Sequence, residues 1–208
     1  MNPVAKLRYT ASEMILRVES DASYLTEPGA HSRAGGHHYL GNLADTPNFF
    51  NGPILNIAKV LRNVLSSAAE SEVAALFVNA KEATTLRITL EEMGHKQPAT
   101  PIATNNTTTA GIMNRTVKQQ RSKAIDMRFY WVRDRVEQGQ FRIYWAPGKT
   151  NMGDYYTKHQ APAHHQGMRP IVLNQVSTEQ ALAYLRGCVK SATRSATPLQ
   201  SIAESPTS

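Results

Sequence analysis

The chain has a single cysteine, Cys188, among 208 residues. No internal disulfide and no cysteine-based zinc set can form, which excludes a disulfide-stapled secreted fold and leads us to expect an intracellular setting, cytoplasm or nucleus. Long apolar runs are missing too. Nothing approaches the roughly 20 residues that span a bilayer, and the opening "MNPVAKLRYTASEM" lacks the apolar core of a secretory signal. No membrane partner is therefore expected. Neither a Gly-rich phosphate loop nor a nucleophile elbow occurs, and Gly35-Gly36 in "SRAGG" read as a bulge or a close backbone approach. His37-His38 and His164-His165 have no suitably spaced third ligand, which disfavours zinc.

Acidic residues are in the minority, 16 against 23 Lys and Arg, for a net charge of +7. Such an excess favours a polyanionic partner, because cationic side chains neutralise phosphates and release their counterions. The length suits one domain with some tail.

Three strands come first. "SEMILRVESDASY" (12–24) is apolar and β-branched until a Ser-Asp-Ala-Ser cluster, which places its end near Asp21. "SRAGGHHYLGN" (32–42) and "GPILNIAKVL" (52–61) follow with short connections, implying an antiparallel meander. The period then changes. Leu65, Ala69, Val73, Leu76, Phe77 and Ala80 keep helical spacing, and Gly94 is the first glycine after them. One helix is expected there, or two broken near Thr84-Thr85, with Ser66-Ser67 as its cap. "TPIATN" (100–105) reads as a short buried strand, and a helix capped by Asn105 or Asn106 follows. "SKAIDMRFYWVRDRVEQG" (122–139) carries the stripe Ile125, Phe129, Val132, Val136, and "QFRIYWAPG" (140–148) alternates as a fifth strand. "NMGDYYTKH" (151–159) reads as a last short helix of the domain. The rest is Pro-, His- and Ser-rich, with a candidate helix at 177–189 before a low-complexity end expected to be disordered.

Three acids occupy positions where a carboxylate invites explanation. Asp21 ends the first predicted strand and reads equally as an Asx-turn residue or as a site acid. Glu72 lies seven residues after Leu65 and four before Leu76, on or beside the apolar stripe, where an unpaired charge is costly. Glu70 is about 200° away around the helix and is expected nearer solvent. A salt bridge of Glu72 with Lys59 or Arg62 is the plainer alternative. Asp154 stands in "NMGDYYTKH", where a helix-start acid favoured by the helix dipole is equally ordinary.

In order, the blocks "SDASY" (20–24), "SRAGGHHYLGN" (32–42), "SSAAESEVAAL" (66–76), "RITLEEMGHKQPATPIATNN" (87–106), "RSKAIDMRFYWVRDRV" (121–136) and "GDYYTKH" (153–159) resemble the ribonuclease H domain at the end of the Pol polyprotein of copia-type LTR retrotransposons. The resemblance covers about 12–160. It casts 1–11 as the connector that follows the reverse transcriptase and leaves 161–208 as a tail. It implies an α/β ribonuclease H-like fold: a five-stranded mixed sheet, its first three strands antiparallel, with helices packed on it. It also implies an endonuclease whose four carboxylates hold two Mg²⁺ (or Mn²⁺) ions and hydrolyse the RNA of an RNA–DNA hybrid. A reverse transcriptase acting in trans is a further candidate partner.

By that resemblance Asp21, Glu72 and Asp154 match three of the four acids. The remaining one belongs to an Asp-Asn pair ending the fourth strand, where this chain has Asn105-Asn106. Asn keeps the shape of Asp but offers one neutral carbonyl oxygen and an NH₂ that cannot ligate. The expectation is hybrid binding with cleavage reduced or lost. The alternatives are an active Mg²⁺- or Mn²⁺-dependent ribonuclease in which Asn105 suffices, and a non-catalytic interaction module or unexpressed fragment. Arg121, Arg128 and Arg135 recur every seven residues along one helix side, and Lys118 and Lys123 add charge nearby, forming a candidate phosphate-binding column. A solvated face with pairs such as Arg133–Glu137 is the plainer reading.

Overall fold

The structure, a computed structural model, describes residues 5–43, 50–114 and 126–187. Lys118, Arg121, Lys123 and Cys188 lie outside the described residues. The strands are β1 (Ile15–Glu27), β2 (His31–Gly41), β3 (Pro53–Leu61), β4 (Thr100–Thr104) and β5 (Phe141–Trp145). The helices are α1 (Ala68–Glu92), α2 (Thr107–Met113), α3 (Asp126–Glu137), α4 (Gly153–Thr157), α5 (Pro162–Val172) and α6 (Thr178–Leu185), with a 3-10 turn at Gly148–Thr150. One sheet runs in the order β3-β2-β1-β4-β5. β1–β2 and β2–β3 pair antiparallel, whereas β1–β4 and β4–β5 pair parallel, with Val18 opposite Ile102. The expected mixed sheet with an antiparallel meander is what forms. No helix among the described residues is long and apolar enough to cross a membrane.

β1 is the central strand, and side chains alternate across it. Leu16 and Val18 face the helices and join Leu76, Ala80, Ile102, Phe129, Val132, Phe141 and Ile143 in the main core. Burying one such side chain contributes about 1.5–3 kcal/mol. Ser20 continues that face and accepts from Asn79 Nδ2 of α1 at 3.0 Å. The same amide donates to the Gly35 and Ala75 carbonyls at 2.9 and 3.0 Å, tying α1 to β1 and β2. Arg17, Glu19 and Asp21 take the opposite face, and all three are buried.

β1 does not end near Asp21. Its ladder with β2 continues through Ser23 opposite Arg33, becoming irregular only between Ser23 and Glu27. The Ser-Asp-Ala-Ser cluster is strand rather than turn because Ser23 Oγ accepts from Arg33 N at 3.2 Å, so the polar side chain holds the ladder. This removes the Asx-turn reading of Asp21, which pairs with Gly35 in mid-strand. Gly35 and Gly36 are no bulge either, since the register is regular across them. They are places of close approach. A Cβ on Gly35 would lie 2.3 Å from the Gly153 carbonyl oxygen, and one on Gly36 would lie 1.8 Å from Asn79 Oδ1.

α1 is one unbroken helix, capped by Ser67, whose side chain accepts from Glu70 N. Glu70 is buried rather than solvent-facing: its Oε2 accepts from Ser66 N at 2.7 Å, folding the carboxylate back over the helix start. α2 takes Asn106, not Asn105, as its cap, with Oδ1 accepting from Thr109 N at 2.9 Å. The segment after 160 contains α5, which the sequence reading did not anticipate. It starts on Pro162, a favoured first-turn residue, and places Met168 and Ile171 against Phe50, Met152 and Ala181 in a second core. The N-terminal segment is tied to it, with Arg8 N donating to the Leu173 carbonyl at 3.1 Å.

Because backbone rather than a flexible side chain faces Gly35, the substitution Gly35→Ala is expected to force α4 outward. It should cost about 1–3 kcal/mol by overpacking, read as a lowered urea midpoint; an unchanged midpoint would contradict the contact.

Candidate active site

Asp21 is 1% exposed and both of its oxygens are engaged. Oδ1 accepts from Asn105 Nδ2 at 2.7 Å, and Oδ2 accepts from Thr157 Oγ1 at 2.6 Å. Thr157 Oγ1 also lies 3.0 Å from the Asp154 carbonyl, so the end of α4 joins β1 to the Asp154 turn. Glu72, 6% exposed, accepts from Thr104 Oγ1 at 3.3 Å and from the backbone N–H of Ala22. No ion pair joins it to Lys59 or Arg62 among the described residues. The charges of Asp21 and Asp154 both reach it. The structure therefore brings Asp21, Glu72, Asn105 and Asp154 together from β1, α1, the end of β4 and α4.

Backbone geometry makes the meeting feasible. A Cβ on Gly153 would sit 2.9 Å from Asn151 Oδ1, 3.0 Å from Asp21 N and 3.1 Å from Asp21 Cβ, so a glycine eases the close approach of α4 to β1. Asn151 holds the approach: Nδ2 donates to the Ser20 carbonyl at 2.9 Å, and Oδ1 accepts from Gly153 N at 2.8 Å. Glu19 Oε2 accepts from Met152 N at 2.5 Å on the same face. Asn105 is fixed from its other side by Trp145, whose Nε1 donates to the Asn105 carbonyl at 3.1 Å. Glu19, Asn151 and Thr157 were not singled out from sequence. A hint lay in the Arg17–Glu19–Asp21 alternation, charged residues at period two in an otherwise apolar strand.

Burial sets the electrostatics. It holds Glu72 up to about 8, with the Asp21 charge adding to the effect and the bonds from Ala22 and Thr104 opposing it. Burial also raises Asp21, against the bonds from Thr157 and Asn105, and raises Glu19 to about 8. Asp154 sits in the first turn of α4 and forms an ion pair with Lys158, as a helix-start acid would.

The donor chemistry is that of hard oxygens, which suit Mg²⁺. The arrangement is less suitable. Burial disfavours the charged form of Glu72, Asp21 is bonded through both oxygens, Asp154 is paired with Lys158, and Asn105 turns its NH₂ inward. Among the described residues no group of three or more His, Cys, Asp and Glu is placed to hold a metal ion. To hold an ion, Asp21 and Asp154 would have to exchange these internal partners for it.

In the expected basic column, Arg128 and Arg135 lie on the α1–α3 seam. Their guanidiniums stand 5.9 Å from the Phe77 ring and 4.7 Å from the Trp131 ring, and those two rings pack edge to face at 5.3 Å. Arg135 also pairs with Asp134 at 2.6 Å, and the Arg133–Glu137 pair forms at 3.1 Å. Trp145 is half exposed at the site's edge.

The raised carboxyls dictate a pH dependence. Glu19 and Glu72 keep protons that the unfolded chain releases above about 4.5, so their contribution is fully present below that pH and lost as the pH rises to about 8. His37 and His38, buried neutral and lowered to about 4, contribute above about 6.5 and lose that contribution as the pH falls. From these four groups stability should be level between about pH 4.5 and 6.5, where the losses and gains cancel, and decline from there to about pH 8, with Glu72→Gln removing part of the decline. Urea midpoints that stay level over that alkaline interval would contradict the assignment.

No family model matches the chain, and no curated protein does. Solved structures do. LC11-RNase H1, isolated from compost by a metagenomic approach, matches with a TM-score of 0.50 at 10% identity, over 68% of this chain and 91% of its own. The crystal structure of LC11-RNase H1 in complex with RNA/DNA hybrid matches with a TM-score of 0.50 at 11% identity, over 68% and 92%. Identity this low speaks for the architecture alone, and the architecture is plain: the chain has a ribonuclease H-like fold.

Proposed function

We propose that the chain is a retrotransposon-derived ribonuclease H-like domain that binds RNA–DNA hybrid and whose phosphodiester hydrolysis is impaired. The observation that carries the proposal is the 2.7 Å bond from Asn105 Nδ2 to Asp21 Oδ1. An acid at this position would present a second carboxylate beside Asp21, and the two would repel unless cations lay between them. The amide instead donates. It satisfies Asp21 from within the protein and removes one of the negative charges that hold divalent ions.

Hybrid binding is supported by two things. The chain carries seven net positive charges, and the similarly folded LC11-RNase H1 has been solved with RNA/DNA hybrid. Phosphate attraction is sequence-independent and survives loss of the catalytic charge. The order of the motif blocks supports the copia-type ancestry. In this reading each residue has a task of its own. Asp21 and Glu72 are the remaining buried acids of the site, Asn105 locks the Asp21 rotamer, Thr157 and Asn151 hold α4 in place, and Arg128 and Arg135 are the described members of the phosphate-contacting column.

The test is a hybrid-cleavage assay with Mg²⁺ or Mn²⁺ supplied, comparing the chain with Asn105→Asp. The substitution should raise turnover by roughly a hundredfold or more, the scale on which alignment of reacting groups acts. Hybrid affinity should be equal or slightly weaker. Equal turnover by the two proteins would remove the impairment, and absent binding by both would remove the hybrid.

A further inference from the structure

Beside Asp154 the structure contains a cavity of about 380 Å³. The 3-10 turn and α4 form one wall, through Lys149, Asn151 and Asp154, and α5 and α6 form the other, through His164, Met168 and Tyr184. The helices after residue 160 thus build a pocket directly against one of the four site positions. None of the motifs that carry the family resemblance includes these helices.

The lining has two characters. Met168 is buried and belongs to the second core, and Tyr155, Tyr184 and Leu185 pack against that core. Aromatic and thioether surface is therefore held in place from behind. Tyr155 stacks with His165 at 6.0 Å, and the Tyr184 hydroxyl lies 3.4 Å from His164 Nδ1. The polar part is uneven. Asn151 has both ends of its amide committed to Ser20 and Gly153, and Asp154 is paired with Lys158. Lys149 is exposed and has no ion pair among the described residues. A flat apolar wall with one cation at the rim suits a ligand with an aromatic plane and an adjacent anion. The volume lies at the small end of the range for small-molecule sites, about 300–1,000 Å³, enough for one nucleotide and too little for a duplex.

We infer that this pocket binds a single unpaired nucleotide, its base against Tyr155 and Tyr184 and its phosphate at Lys149, next to the acid cluster. The inference deepens the hybrid-binding reading by giving the strand that passes Asp154 a place for a nucleotide that has left the duplex. A free nucleoside monophosphate shares the same chemistry, and the experiment separates the two sources. Stacking of one base changes affinity by roughly five- to a hundredfold.

The full chain is titrated with 5′-AMP, with a blunt RNA–DNA hybrid, and with the same hybrid carrying a four-nucleotide single-stranded extension. Lys149→Gln, at an exposed position, and Tyr184→Leu are compared with the unaltered chain. The expected result is that the extended hybrid binds about tenfold tighter than the blunt one. That difference should vanish in either variant while blunt-hybrid affinity stays within about twofold. Saturable 5′-AMP binding that weakens in the same variants supports the pocket with free nucleotide as its source, even if no hybrid binds and the hybrid reading fails. Identical affinity for the two hybrids together with no saturable 5′-AMP binding overturns the inference while leaving hybrid binding intact. Circular dichroism of Tyr184→Leu guards against a lost fold, and Lys149→Gln decides alone if α6 is disturbed.

Discussion

Gly35 and Gly153 meet with no side chain between them, and the site depends on that contact. Were Gly35 larger, its Cβ would lie 2.3 Å from the Gly153 carbonyl oxygen and 2.6 Å from Thr157 Cγ2, and α4 would have to move off the β1–β2 pair. Thr157 would then lose Asp21, Asn151 could not bridge Ser20 to Gly153, and Asp154 would leave the neighbourhood of Glu72. Glycine costs conformational entropy in a strand. The cost is offset here by the hydrogen bonds that close approach permits. The constraint is one of excluded volume, and it lets Asp21 be satisfied from two separate places, Asn105 at the end of β4 and Thr157 in α4.

Inside that frame the charges are held down rather than poised. Glu72 and Glu19 are buried deeply enough to keep protons near neutrality, and Asp21 shares its charge with an amide and a hydroxyl. A site built to attract two divalent ions would leave carboxylate oxygens open to a shared space. Here Asn105 converts an acid–acid repulsion into a donor–acceptor bond.

Much of this could be read from the chain, and the remainder had physical reasons for staying hidden. α1 followed from its spacing and its Ser cap, and the meander followed from short connections. Glu72 was chosen over Glu70 by its place on the apolar stripe, yet Glu70 is buried too, because a capping carboxylate folds back over the helix start. Ser and Asp favour turns, so the sequence places the end of β1 too early, while in the fold their partners on β2 continue the ladder. Glu19 was overlooked because its burial depends on a backbone donor, Met152 N, supplied from far along the chain. α5 was obscured by histidines and prolines, and its few apolar residues gain meaning only against Phe50 and Met152.

The central claim is that an amide occupying the fourth corner weakens the hold on metal. Isothermal titration of the chain and of Asn105→Asp with Mn²⁺ measures that most directly. A full charge restored within about 4 Å of a divalent ion is worth on the order of 8 kcal/mol before desolvation at an effective dielectric constant near 20. The account predicts Mn²⁺ affinity at least about tenfold higher in Asn105→Asp than in the unaltered chain. Equal affinities would contradict it.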